Sequence, residues 1–133
     1  MTTRLRLVRA QRLLRVQEQM RGIAERDLAA NRAQAAKVEA DRAAMLATLA
    51  GETMHGLFLD AAARRLRALA AEATELGATS TRLSEILRAR GLAEKRAERQ
   101  ADGLLKLRER EREQRALLEQ LDLMAARGAH PPD

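Results

Sequence analysis

One short patch, Gly51-Glu52-Thr53-Met54-His55-Gly56, interrupts a chain that otherwise carries the residues of long helices from end to end. The patch is off-centre. It separates an expected first helix over about residues 3–50 from a second over about 57–127, leaving a disordered tail at 128–133. A hairpin folded at such a patch cannot match its two arms. Folding near residue 53 sets residue 1 level with residue 105, so the second arm runs on past Leu105 as an overhang. The fold expected is all-α: an antiparallel two-helix coiled-coil hairpin with a longer second helix, a single domain over 1–133.

The spacing of apolar residues supports this. Leu28, Asn31, Ala35, Val38, Arg42, Met45 and Leu49 recur at alternating steps of three and four, the spacing of a helix packed along one partner. Earlier in the first helix the apolar stripe is Leu13, Val16, Met20 and Ile23, displaced by one residue from that phase. A straight helix of 3.6 residues per turn drifts in this way, so weak supercoiling is expected there. The second helix repeats the pattern at Leu59, Ala62, Leu66, Leu69, Ala73, Leu76, Ser80, Leu83 and Leu87, then thins to Ala93, Ala97, Ala101, Leu104 and Leu107. Alanines crowd both arms beside the break. Small side chains let helices approach closely, and alanine has the highest helix propensity.

Local signals agree. Thr2 or Thr3 can cap the first helix, and Gly51 is the expected end of it, where a glycine at positive φ is common. Gly77 precedes Thr79, Ser80 and Thr81, a possible new cap, but the leucine spacing runs through it in phase, so one continuous helix is expected. Pro131 and Pro132 close the chain. Residues 108–113 read Arg-Glu-Arg-Glu-Arg-Glu; this alternation makes i,i+3 pairs attractive and i,i+4 pairs repulsive, so local ion pairing contributes little. An apolar stripe then returns at Leu117, Leu118, Leu121 and Met124, with nothing in the chain to cover it. It is either a partner contact or a frayed end.

Composition narrows the function classes. Phe58 is the only aromatic residue, which disfavours a compact globule, and there is no cysteine to form a disulfide or thiolate site. No apolar run approaches the ~20 residues that span a bilayer, and the start lacks a signal-peptide core. A soluble cytoplasmic protein is expected. The net charge is +6, and the excess sits at Arg4, Arg6, Arg9, Arg12 and Arg15, with no acidic residue before Glu18. Such a basic helix end suits an acidic partner, a nucleic acid or an anionic membrane surface; its plainer reading is a solvated face.

Catalytic patterns are missing. The two histidines, His55 and His130, lie in the break and the tail without a second ligand at metal spacing. Carboxylates lie among arginines at helical spacing, as on a solvated face, and no phosphate-cradling glycine loop occurs. The expectation is no enzyme, no cofactor and no metal. A basic-zipper reading fails because a turn interrupts the seam, and single-strand binding lacks stacking aromatics.

Several of these features together resemble the flagellar export protein FliJ family and, more distantly, the stalk proteins of virulence type III secretion. They are the length, the start Arg4-Leu5-Arg6-Leu7-Val8-Arg9, the off-centre turn, the Phe58, Leu59, Leu66, Leu69 opening of the second helix, and its close at Leu121-Asp122-Leu123-Met124-Ala125-Ala126-Arg127. The resemblance implies a coupling stalk without chemistry of its own. It would stand in a hexameric export ATPase, reach the membrane export gate protein, handle export chaperones, and sit in the cytoplasm against the inner membrane at the flagellar base. It further implies a gate contact at Leu57, Phe58, Leu59, Leu66 and Leu69, and an ATPase contact at the open end through Arg4, Arg6, Arg9, Arg12 and Arg15. Against these stand plainer roles: Phe58 as a cap over the hairpin end, Leu66 and Leu69 as ordinary seam packing. Two further readings remain, a scaffold self-associating through Leu117, Leu118, Leu121 and Met124, and a basic coiled-coil nucleic-acid binder.

Overall fold

The computed structural model describes residues 2–51 and 56–129. They form two helices, α1 (Thr3–Gly51) and α2 (Gly56–Gly128), that pack against each other as an all-α helical hairpin with no strand among the described residues. Residues 52–55 of the break and the tail residues His130, Pro131 and Pro132 lie outside the described residues, and so does His55. Thr2 caps α1: its Oγ1 accepts from the Leu5 amide at 3.3 Å and its carbonyl accepts from the Arg6 amide at 3.1 Å. Gly51 is the last residue of α1, and no described residue has positive φ, so the left-handed cap expected at Gly51 is not what ends the helix. α2 is continuous through Gly77, Gly91 and Gly103.

The chain divides into two compact units, one of Met1–Glu18 with Ala93–Asp133 and one of Gln19–Leu92. In the second unit the expected α1 seam holds in full: Leu28 and Val38 are buried, and Asn31, Ala35, Arg42, Met45 and Leu49 are half-buried. Ala62 and Leu69 are buried on α2, with Leu66, Ala73, Leu76, Ser80, Leu83 and Leu87 half-buried along the same line. Leu59, expected to begin this line, is exposed. The helices run antiparallel. Asn31 Nδ2 donates to the Leu76 carbonyl at 2.9 Å and to Ser80 Oγ at 2.6 Å, Gln34 Nε2 donates to Glu72 at 3.4 Å, and Arg90 approaches the Met20 sulfur at 3.8 Å. Asn31 is thus a polar seam residue with its donors satisfied, the device that fixes register in coiled coils.

In the first unit Leu7 and Ala10 cluster with Ala101 and Leu104, and Leu14 packs against them. Thr3 Oγ1 donates to Glu111 at 2.8 Å. The pairing corrects two expectations. First, Thr3 reaches Glu111, so α1 covers α2 as far as Glu111, beyond the expected limit of Leu105; the residues after Glu111 are exposed. Second, the seam does not drift. Along α1 it runs Leu7, Ala10, Leu14, Gln17 here and Arg21, Ala24, Leu28 in the other unit, keeping steps of three and four. Leu13, Val16 and Ile23, expected to carry it, are 45%, 48% and 50% exposed. On α2 the line in this unit is Glu94, Ala97, Ala101, Leu104, Arg108 and Glu111, with Leu107 outside it. A period of 3.5 residues is what a left-handed supercoil preserves. The apolar pattern concealed it because Gln17 and Arg21 occupy seam positions while leucine, valine and isoleucine sit one residue away.

Candidate functional site: an arginine-lined groove and an uncovered helix face

The start of α1 and the stretch of α2 around Glu111 enclose an open groove of about 850 Å³ in the first unit. Arg4 lines it from α1, and Arg108, Arg112 and Arg115 line it from α2. One carboxylate, Glu111, lies among these four guanidinium groups, and it accepts the Thr3 hydroxyl. The helix geometry makes the convergence: 108, 112 and 115 recur at steps of four and three, so they share a face of α2. The cap residues Thr2 and Thr3 line the same groove, adding the positive end of the α1 dipole. Such a groove suits a carboxylate-rich or phosphate-rich surface, because guanidinium forks bind planar anions in pairs of hydrogen bonds.

The five arginines expected to act together are divided. Arg4 belongs to this groove; Arg6 and Arg9 line a second, with Ala10, Leu13, Gln100 and Leu104; Arg12 and Arg15 are exposed and line neither. A third groove, lined by Leu13, Gln17, Ala93, Arg96, Ala97 and Gln100, shares Leu13 and Gln100 with the second. Gln17 Oε1 is buried with no hydrogen-bond partner. The sequence reading missed Arg108, Arg112 and Arg115 as partners of Arg4, treating that segment as a self-balancing charge run. The signal was the hairpin register, which brings Thr3 against Glu111.

The residues expected at the gate contact divide as well. Leu57 is 85% exposed, and Phe58 and Leu59 are exposed beside it. Leu66 is half-buried and Leu69 is 1% exposed, one of the two largest fully buried side chains of the chain's described residues. Leu69 is therefore seam packing, inaccessible to a partner while the helices are paired. Leu117, Leu118, Leu121 and Met124 are all exposed. Among the described residues, no group of three or more His, Asp or Glu side chains is placed to hold a metal ion, and no helix is long and apolar enough to cross a membrane. No protein-family model, curated protein or solved structure matches this chain.

Proposed function

We propose that this chain is a non-enzymatic stalk and adaptor of the flagellar type III export ATPase, coupling the hexameric ring to the membrane export gate protein and handling export chaperones. The observation that carries the reading is the groove at the start of α1, where four arginines and a helix N-terminus meet beside one carboxylate. A protein that works by contact needs a charged surface of this kind for an acidic partner, here the ring. The exposed Leu57, Phe58 and Leu59 supply the second contact, an apolar patch outside the seam for the gate protein. In this reading the protein works in the cytoplasm, held at the inner membrane through its partners.

Co-purification with the export ATPase of the same cell tests it. The chain should promote ring assembly and raise ATP turnover, and Arg4→Glu with Arg112→Glu should remove both effects while leaving helicity intact. If the wild-type chain changes neither hexamer formation nor turnover, the reading fails.

A further inference from the structure

The strict seam exposes a relationship between two features of the first unit that otherwise look separate. With seam positions written a and d, the exposed Leu13 and Val16 of α1 fall at g and c. On α2 the same letters fall on Ala93, Arg96, Gln100, Gly103 and Leu107, the flank that borders the two shared grooves. Continued along α2, g and c fall on Arg110 and Gln114, then on Leu117, Leu121 and Met124. The apolar stripe of the overhang and the groove between α1 and α2 therefore lie on one side of one helix. Both are uncovered among the described residues.

We propose that each is the other's partner in a second copy of this chain. A two-fold axis passing between the two α2 helices, level with Arg108 and Glu109 of each, runs them antiparallel over residues 93–124, about 48 Å of contact. It sets Leu117, Leu121 and Met124 of one copy level with Gln100, Arg96 and Ala93 of the other, against Leu13 and Val16. The same operation covers the first copy's overhang in the second copy's groove, so the contact is self-complementary and closed. Charge selects this register. Glu113 of each copy falls between Arg99 and Lys106 of the other, whereas a shift of one heptad toward the overhang sets Glu113 level with Glu111. Gly103, with no side chain, leaves room for Gln114 of the other copy, and at the axis Leu107 of each copy meets Arg110 of the other. The stripe is short and the ion pairs are solvated, so the dimer is weak, dissociating in the micromolar range.

This inference stands whether or not the stalk reading holds. It needs only the purified chain, which has no cysteine of its own. Sedimentation equilibrium from low micromolar to millimolar concentration should show a monomer–dimer equilibrium. Leu121→Glu should abolish it with unchanged helicity, because Leu121 is exposed. A Gln100→Cys, Leu117→Cys double variant should oxidise to a covalent dimer. Within one chain these positions are about 25 Å apart along α2, far beyond the ~7 Å limit for a disulfide. A wild-type chain that stays monomeric throughout overturns the proposal, and so does self-association that survives Leu121→Glu or a cysteine pair that fails to cross-link.

Discussion

The same substitution at two leucines of α2 separates packing from display. Leu69 is 1% exposed and sits in the seam beside α1; Leu57, the second residue of α2, is almost fully exposed. Leu69→Ala removes most of a buried side chain and leaves a gap between two helices that already pack largely through alanine. Neighbouring side chains can close over the gap only partly, so the expected cost is about 3 kcal/mol, in the lower part of the range for buried leucines. With a urea dependence of about 2 kcal/mol per molar, the unfolding midpoint of the unit that holds Leu69 should fall by about 1.5 M. Leu57→Ala should move it by no more than about 0.3 M, since exposed substitutions stay within about 0.5 kcal/mol. Helicity followed by circular dichroism across a urea titration reads both. Equal shifts at the two positions, or none at Leu69, would refute the seam assignment and with it the distinction between seam and contact residues.

Other expectations follow from particular contacts. Asn31→Leu should raise stability by about 1 kcal/mol, by replacing a polar seam group with an apolar one, yet loosen the pairing that the bonds to Leu76 and Ser80 define. Distances between spin labels on α1 and α2 of the second unit should then broaden, and a single sharp distance would count against a register role. Leu57→Ala with Phe58→Ala should leave melting nearly unchanged and abolish binding to the export gate protein; binding that persists removes these residues from the contact. Thr2→Ala should cost about 1 kcal/mol of helix-start stability, seen as faster amide exchange at Leu5, whose amide Thr2 accepts. Unchanged exchange there would mean the cap contributes nothing.

Legibility of the sequence depended on where apolar residues coincide with seam positions. Between Ala24 and Leu49 they do, and the line from Leu28 to Leu49 was readable residue by residue, Asn31 and Arg42 included. At the start of α1 they do not. Gln17 and Arg21 lie in the seam, with Leu13, Val16, Met20 and Ile23 beside it. Apolar spacing alone reports where leucines recur; it does not say which of two heptad-spaced lines faces the partner helix. The polar seam residues on α2, Glu94, Arg108 and Glu111, blurred that arm in the same way and made Ala93 and Leu107 look like seam. The arginine groove was hidden for a different reason. Arg4 and Arg112 are far apart in sequence, and only the register through Thr3 and Glu111 joins them. The exposure of Leu57 and Phe58 was not settled by the sequence, which left Phe58 either a cap over the hairpin end or a contact; the structure leaves both exposed, ahead of Ala62, the first buried residue of α2.

The account turns on which line of α1 is covered. Single cysteines placed at 10, 13, 14 and 16 of this cysteine-free chain, labelled with a thiol reagent at submicromolar concentration, measure that coverage directly. Positions 13 and 16 should react at nearly the rate of an unfolded control, position 14 more slowly, and position 10 at least tenfold more slowly. Protection at 13 and 16 with rapid labelling at 10 would mean that the seam drifts after all and that α1 has no second face to offer.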